Sequence, residues 1–265
     1  MNPFFSIITV TLNPGAALAA TVSSVLEQDF ENWELIIKDA GSTDGSLKLL
    51  PVDSRIRIIS KKDGGIYDAM NQGLEESSGT VVNFLNAGDQ FYDQAVLSSI
   101  CDKYAATSAN FIYGYMFNQS FSSEVRYPKT LSHFFLFRNT ICHQAQFITR
   151  ELLIELNGYD TDYRLRADYD LYLRAQKMTN FESLRIPILV VAYDGSGVSA
   201  SSDFADILTQ ERQIILKKHF SWFQRVLYQS LHELTLVRLR RFLEESKYQH
   251  MFRFILNRIN HFGAK

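Results

Sequence analysis

The chain has 265 residues, and 46% of them are hydrophobic, which is enough for a buried core in one large α/β domain with an appendage or in two small domains. The formal net charge of −2 gives no sign of nucleic-acid binding, so no nucleic-acid partner is expected. Its two cysteines, Cys101 and Cys142, have no metal or redox spacing, and we expect free thiols in a reducing compartment.

Charge is distributed unevenly along the chain. Residues 203–265 carry 11 Lys and Arg against 6 Asp and Glu, a net charge of +5, which leaves −7 for residues 1–202. No segment has the roughly 18 consecutive apolar residues of a membrane-spanning helix, and the N-terminus lacks a signal-peptide pattern. We therefore expect a cytoplasmic protein with an acidic body, residues 1–202, and a basic extension, residues 203–265.

Strands and helices alternate from the start of the chain. Strands are predicted over residues 4–12, 33–38 and 55–60, with a helix over 16–28. A strand, a helix and a second strand at this spacing form a βαβ unit with parallel strands. Later, a helix is predicted over 93–105 and strands over 110–117, 145–149 and 185–192. The aromatic stretch 127–139 fits either an acceptor-side loop or core packing.

Asp39 follows the second strand and opens the loop from Ala40 to Ser46. A carboxylate there can accept hydrogen bonds from a base or from ribose hydroxyls, because ligands of open α/β sheets bind outside the carboxyl ends of the strands. The structural alternative for this loop is the start of a helix capped by Ser42 or Thr43.

The stretch from Lys61 to Asp89 combines a Gly-rich loop, an amphipathic helix, an apolar strand and a second Gly-containing loop. Because Asp89 comes just after the strand, it lies at the edge of the sheet where ligands bind and is a candidate site residue. The alternative for Asp89 is a structural role in a turn. The Gly-rich loop that begins at Asp63 could lie against the sugar or nucleotide, and the alternative is that Asp63 caps the helix. Asp68 and Asn71 share a helical face and are predicted to brace each other or the neighbouring loop.

Two segments of this stretch, Asp63–Asn71 (DGGIYDAMN) and Phe84–Asp89 (FLNAGD), resemble glycosyltransferase family 2, in particular its bacterial members that build surface polysaccharide. The resemblance extends over residues 4 to 200. It implies the α/β GT-A fold, a mostly parallel central sheet flanked by helices, here followed by a helical C-terminal extension. It also implies transfer of a sugar from a nucleotide diphosphate.

The resemblance assigns roles to loop residues. A nucleotide-binding role is implied for Thr11, Asn13, Asp39, Ser42, Asp44, Asp68, Asn71 and Asn86. The family often has a second Asp at position 40, where this chain has Ala40. Its Asp-x-Asp motif falls on positions 86 and 88, which are Asn86 and Gly88 here. Asp89 is therefore predicted to bind Mn²⁺ or Mg²⁺, hard cations that prefer oxygen ligands.

Two carboxylates compete for the role of general base. Asp170 lies four residues before Arg174, which predicts a solvated salt bridge. Asp168 instead leads an apolar helical row that begins at Leu171, so it is expected on the floor of a cleft. We predict that Asp168 is the base. A single base without a nucleophilic partner implies direct displacement with inversion, as the resemblance does.

Two regions complete the prediction. His143 and Gln144 match a His-Gln pair of the family and are expected to contact acceptor or diphosphate, although a structural role for His143 is the alternative. Residues 203–265 mix aromatic and Arg residues on predicted amphipathic helices. This pattern fits peripheral membrane contact, or packing on the catalytic domain or on a second subunit of a homo-oligomer.

The sequence thus predicts an inverting glycosyltransferase. Its expected donor is a nucleotide sugar, with UDP as the nucleotide, and its expected acceptor is a saccharide or lipid-linked saccharide of a cell-surface polysaccharide. One alternative is a catalytically weakened nucleotide-binding or membrane-associated scaffold, indicated by Asn86 and Gly88. The other is a sugar nucleotidyltransferase, although the Gly-rich, Arg-bearing loop typical of that class does not follow the first strand.

Overall fold

The structure, a computed structural model, describes residues 2–195 and 204–233. The strands are β1 (Phe5–Thr11), β2 (Trp33–Asp39), β3 (Ile56–Ser60), β4 (Val81–Phe84), β5 (Gln90–Phe91), β6 (Phe111–Asn118), β7 (Ser123–Val125), β8 (Gln146–Thr149) and β9 (Ser183–Tyr193). The helices are α1 (Ala17–Leu26), α2 (Ile66–Glu76), α3 (Val96–Ala105), α4 (His133–Arg138), α5 (Arg150–Glu155), α6 (Ala167–Ala175), α7 (Ala205–His219) and α8 (Trp222–His232). The predicted strands and helices are confirmed to within three residues at each end.

The described strands form one sheet in the order β3-β2-β1-β4-β8-β6-β9-β5, with β7 paired to β6. β3, β2, β1 and β4 are parallel, as the βαβ spacing predicts. Beyond β4 the sheet is mixed, because β8 runs antiparallel to both of its neighbours while β6 and β9 are parallel. The carboxyl ends of β1, β2 and β4 therefore meet at one edge.

Helices cover both faces of the parallel half of the sheet. Every residue of β1 and β2 is buried, as expected for parallel strands with two covered faces. Successive side chains of β1 enter opposite cores: Ile8 packs in the cluster with α2 and α6, and Ile7 in the cluster with α1 and α3. The two cores hold the sheet edge rigidly under the loops that follow the strands.

The structure decides two alternatives left open by the sequence. The aromatic stretch 127–139 packs in the core, with Tyr127, Leu136 and Phe137 all buried. Capping of a helix by Ser42 or Thr43 is wrong, because the short 3-10 helix that follows has Gly45 at its N-cap, with φ 81° and no side-chain cap.

α7 packs directly on the body of the protein. The Glu211 carboxylate accepts hydrogen bonds from the backbone N–H groups of Arg164 (2.6 Å) and Leu165 (3.0 Å), and Arg166 Nε donates to the Leu208 carbonyl (2.8 Å). The predicted boundary at residue 202 stays a prediction, and most of the predicted extension, residues 234–265, lies outside the described residues. None of the helices built from the described residues has the length and apolar character needed to cross a bilayer.

Candidate active site

Two loops at the carboxyl ends of β1 and β2 are joined by hydrogen bonds. The Asn13 N–H donates to Ser42 Oγ (2.7 Å), and Asn13 Oδ1 accepts from the Thr43 N–H (2.8 Å). The Gly15 N–H donates to Asp44 Oδ2 (2.8 Å). Asn13 takes a left-handed backbone conformation (φ 49°), which asparagine tolerates better than most residues. The predicted nucleotide-binding residues of both loops therefore form one surface.

Asp39 organises the second of these loops from within. Its side chain is buried and accepts hydrogen bonds from the backbone N–H groups of Gly41 (3.0 Å) and Ser42 (3.0 Å). Burial raises the pKa of Asp39, but hydrogen bonds from Ser42, Ser60 and Gly41 outweigh it and lower the pKa below its usual value. An ionised Asp39 thus holds the loop, and its contact with a base or ribose stays a prediction.

Thr11 pairs with Asp39 across β1 and β2. Its Oγ1 is buried and has no hydrogen-bond partner among the described residues. Because a buried hydroxyl without a partner costs free energy, this atom is an unsatisfied polar position at the carboxyl end of β1, and its predicted contact with a nucleotide stays a prediction.

The Gly-rich loop before α2 is held by two carboxylates and a buried lysine. Lys38 Nζ is fully buried and donates to Asp63 Oδ2 (2.8 Å), while Asp63 Oδ1 accepts from the Gly65 N–H (3.2 Å). Asp68 Oδ2 accepts from the Gly64 N–H (2.7 Å). Gly65, not Asp63, occupies the N-cap of α2. These contacts fix the loop; a nucleotide contact of Asp68 stays a prediction.

Asn71 connects α2 to the segment that leads to the predicted base. Its Nδ2 donates to the Tyr159 carbonyl (2.8 Å), and its Oδ1 accepts from the Tyr159 N–H (2.8 Å). Of the two predicted alternatives for Asp68, bracing of the neighbouring loop is confirmed, because Asp68 Oδ2 accepts from the Gly64 N–H and from Gln72 Nε2 (3.0 Å) and forms no hydrogen bond with Asn71. Both polar atoms of Asn71 are engaged by protein, and its nucleotide contact stays a prediction.

Asp168 lies at the start of α6, facing α2. Its Oδ1 accepts from the Tyr67 hydroxyl (3.2 Å) and from the Tyr169 N–H (2.8 Å), and its Oδ2 lies 3.5 Å from His143 Nδ1. Burial raises the pKa of Tyr67 well above its usual value, so the hydroxyl stays protonated and donates a hydrogen bond to Asp168. The Asp168 side chain is 14% exposed, so this carboxylate is only partly buried.

His143 links the predicted base to the loop after β4. Its Nε2 lies 3.0 Å from Asn86 Nδ2. When Asn86 donates this hydrogen bond, the imidazole proton is on Nδ1 and faces Asp168. Asn86 Oδ1 is buried with no hydrogen-bond partner among the described residues. Both residues thus connect Asp168 to the loop after β4, and their predicted contacts with donor or acceptor stay predictions.

Asp89 points into the protein. Its Oδ2 accepts from Gln144 Nε2 (2.7 Å) and its Oδ1 from the Asp194 N–H (3.0 Å), and only 4% of the residue is exposed. Burial raises the pKa of Asp89 to about 6, against the lowering effect of those hydrogen bonds. The predicted metal ligation by Asp89 and substrate contact by Gln144 stay predictions, and the contacts observed for both residues are structural.

The carboxylate of Asp194 lies beside Gly88, the position at which the family motif has an aspartate and this chain has none. A Cβ placed on Gly88 would be 3.5 Å from Asp194 Oδ2, and the φ of 103° at Gly88 favours glycine. Among the described residues, no cluster of three or more His, Cys, Asp or Glu forms a metal site. Two oxygen donors of this region are Asn86 Oδ1, which is buried without a hydrogen-bond partner in the described part of the chain, and the Asp194 carboxylate beside Gly88.

Asp170 differs from its predicted environment. Its i,i+4 salt bridge with Arg174 is confirmed (2.7 Å), but the prediction that it is solvated is wrong because its side chain is fully buried. His219 Nε2 (2.8 Å) and Lys218 Nζ (3.0 Å), both from α7, also contact its Oδ1. The short-range helical pattern could not reveal cations supplied from nearly fifty residues away. Asp170 anchors α7, which leaves Asp168 as the partly exposed carboxylate at the start of α6.

Sequence reasoning missed two residues of the site. Tyr67 lies inside the DGGIYDAMN segment, but local spacing carries no sign that its hydroxyl meets Asp168, 101 positions later. Asp194 follows β9 directly, and a carboxylate at a strand end was the available signal. The adjacent residues His143 and Gln144 each contact one acidic residue, Asp168 and Asp89 respectively, so these two carboxylates share one region.

Comparison with known proteins gives a consistent result. The family model described as "Glycosyl transferase family 2" matches residues 6–156, more than half of the chain. A "PGL/p-HBAD biosynthesis glycosyltransferase" of Mycobacterium tuberculosis is 31% identical over 201 residues, which cover 74% of this chain and 78% of the relative. The Escherichia coli protein "UDP-Glc:alpha-D-GlcNAc-diphosphoundecaprenol beta-1,3-glucosyltransferase WfgD" is 27% identical over 204 residues, covering 75% and 79%.

Solved structures share the fold. S. aureus TarS 1–349 in complex with UDP superposes with a TM-score of 0.63 at 14% identity, covering 96% of this chain and 78% of that one. The mannosyltransferase PcManGT from Pyrobaculum calidifontis, in complex with GDP-Man and Mn²⁺, gives a TM-score of 0.60 at 16% identity, covering 97% and 86%. The predicted α/β architecture of the GT-A type is confirmed.

Proposed function

Because the chain belongs to glycosyltransferase family 2, we propose that it transfers a sugar from a UDP-linked donor to a saccharide acceptor, with inversion at the anomeric carbon. The observation that carries this proposal is the placement of Asp168, a partly exposed carboxylate that accepts a hydrogen bond from Tyr67 and lies 3.5 Å from His143, which itself contacts Asn86 in the loop after β4. Membership of the family makes a nucleotidyltransferase the weaker alternative.

Asp168 takes the role of general base. Its Oδ2 accepts the proton of the acceptor hydroxyl as that oxygen attacks the anomeric carbon. The bond between the anomeric carbon and the diphosphate oxygen breaks, and the electron pair leaves with the nucleotide diphosphate. The Tyr67 hydroxyl and the Tyr169 N–H hold Oδ1, so the carboxylate keeps its orientation during attack. One displacement from the opposite face gives inversion.

The nucleotide is held by the joined loops after β1 and β2. The surface formed by Asn13 and Ser42, which are joined by a hydrogen bond between the two loops, is proposed to meet the base and ribose. UDP is favoured by the name of the E. coli relative, which acts on UDP-Glc. The acceptor of that relative is a diphosphoundecaprenol-linked sugar, and we extend a lipid-linked saccharide acceptor of surface polysaccharide to this chain.

The proposed reaction includes a divalent cation. Asn86 Oδ1 and the Asp194 carboxylate would hold Mn²⁺ or Mg²⁺, which commonly use one or two protein oxygens together with phosphate oxygens. Such an ion would neutralise the diphosphate as it leaves. Asp89 would act behind these ligands, since its hydrogen bond to the Asp194 N–H positions that residue.

Removal of the proposed metal ligands should weaken cation binding. We expect Asn86→Ala and Asp194→Asn each to raise the dissociation constant for Mn²⁺, measured by electron paramagnetic resonance with UDP present, by about tenfold or more. Asp162→Asn, an exposed carboxylate outside the cleft, is the matched control and should leave binding unchanged. Undiminished Mn²⁺ binding in both variants would reject this ligand set.

A donor panel tests the proposed function itself. UDP-sugars and GDP-sugars are incubated with the protein and Mn²⁺, with and without lipid-linked saccharides, and nucleotide release and product anomers are measured. We expect release from UDP-sugars that rises with acceptor, and a product of inverted configuration. Binding of UDP without turnover of any donor would favour the scaffold alternative, and a retained configuration would contradict the mechanism.

A further inference from the structure

The outward face of α8 is apolar. Trp222 is 71% exposed and Phe223 66% exposed, although surface helices of globular proteins usually turn polar residues to solvent. The exposed apolar side chains form two adjacent rows at i,i+4 spacing, which together span about half of the helix circumference: Trp222 and Val226, and Phe223, Leu227 and Leu231. No residue of α8 is buried.

The opposite face fixes the orientation of this helix. The ring of Tyr228 packs edge-on against Phe134 (5.6 Å), Phe137 (5.5 Å) and Phe220 (6.2 Å) between centroids. A capping box between Ser221 and Gln224 sets the start of the helix. The apolar face is therefore presented outward by contacts on the inner face and is not the result of an unanchored helix.

Two cations lie beside the apolar face. Lys217 and Arg225 line a groove of about 440 Å³ together with Trp222. The sequence that follows α8, residues 234–265, carries seven Lys and Arg against two Glu. Apolar side chains flanked by cations are the combination that binds the interface of an anionic membrane, where acyl chains and phosphate groups lie close together.

We infer that α8 docks on an anionic phospholipid surface, with Trp222, Phe223 and Leu227 entering the interface and Lys217 and Arg225 meeting phosphates. Residues 234–265 would also cover the apolar side chains, but they bring further positive charge against Lys217 and Arg225, which is unfavourable. A second copy packed through the same face of α8 would set its own Lys217 and Arg225 against these two cations, with the same cost. A lipid surface satisfies both the apolar face and the cations.

This inference does not depend on the donor or acceptor proposed above. It stands on α8 and its neighbours, and vesicle binding is measured without sugar transfer. Its consequence for catalysis is positional, because an enzyme held at the membrane meets lipid-linked acceptors at a high local concentration.

The two tryptophans give a direct measurement in the full chain. Trp33 is 2% exposed and Trp222 is 71% exposed, so a change on adding vesicles reports Trp222. We expect iodide to quench Trp222 in the free protein. Phosphatidylglycerol vesicles should shift its emission to shorter wavelength and protect it from iodide, whereas phosphatidylcholine vesicles should have much less effect, and salt should weaken binding.

Substitutions on the exposed face complete the test. Phe223→Ser with Leu227→Ser should lower the partition coefficient for phosphatidylglycerol vesicles by about tenfold or more. Phe121→Ser removes an 80% exposed aromatic from the turn between β6 and β7 and should leave binding unchanged. Protection of Trp222 from iodide in the absence of vesicles would overturn the inference. Protection that does not depend on protein concentration would identify residues 234–265 as the cover, and protection that rises with protein concentration would identify a second copy. Equal vesicle binding by the double variant and the wild type would overturn it too.

Discussion

Asp168→Asn is expected to lower kcat by about 10²-fold to 10⁴-fold, the usual contribution of a general base. The amide has nearly the same shape as the carboxylate and can still accept hydrogen bonds from Tyr67 and the Tyr169 N–H, but it cannot accept the acceptor proton. Binding of UDP, measured by calorimetry, should change little because Asp168 acts on the acceptor side. The expected result is a loss of turnover with the donor site intact.

The control for this change is a carboxylate from the same segment. Asp162 is exposed in the connection between α5 and α6, and its side chain forms no ion pair with any of the described residues. Asp162→Asn should therefore keep wild-type kcat and KM. Full activity in Asp168→Asn, with an unchanged melting temperature, would contradict the assignment of the base and the displacement mechanism with it.

The local parts of this site could be predicted because they depend on neighbours along the chain. Apolar runs followed by polar loops located the ends of β1, β2 and β4, and parallel pairing then brought Asn13, Asp39 and Asn86 to one edge. The apolar row after Asp168 also identified that residue as the candidate base. Each of these inferences needs only spacing, burial and the topology of a βαβ unit.

The contacts that give these residues their roles come from distant parts of the chain. Asn71 meets Tyr159 and Tyr67 meets Asp168, and neither pairing has a signature in local periodicity. The burial of Asp89 could not be predicted either, because a position at the end of a strand does not show whether a carboxylate is buried or exposed. Sequence patterns predict the strand, helix or loop position of a residue, whereas the partners of its side chain depend on packing between elements.

Asp170 carries the largest expected effect on stability. Asp170→Ala would leave Arg174, His219 and Lys218 without the carboxylate that they surround, and His219 is almost fully buried. Removing one partner of a buried ion pair typically costs about 3–5 kcal/mol, because the remaining charge has lost its compensation. We expect a loss of that size in the free energy of unfolding by urea at pH 7. Glu124→Ala breaks an exposed pair with Arg126 and should cost less than about 1 kcal/mol.

The pH dependence of this effect has a definite sign. Burial raises the pKa of Asp170, but hydrogen bonds from His219, Arg174 and Lys218 lower it far below its usual value. A carboxyl group whose pKa is depressed by folding stabilises the protein above its unfolded pKa of about 3.9, and this contribution is lost as the pH falls below that value. The difference in stability between wild type and Asp170→Asn should therefore be full at pH 7 and narrow progressively below about pH 4. A difference that is constant across this range would mean that the ionised carboxylate does not hold α7 on α6.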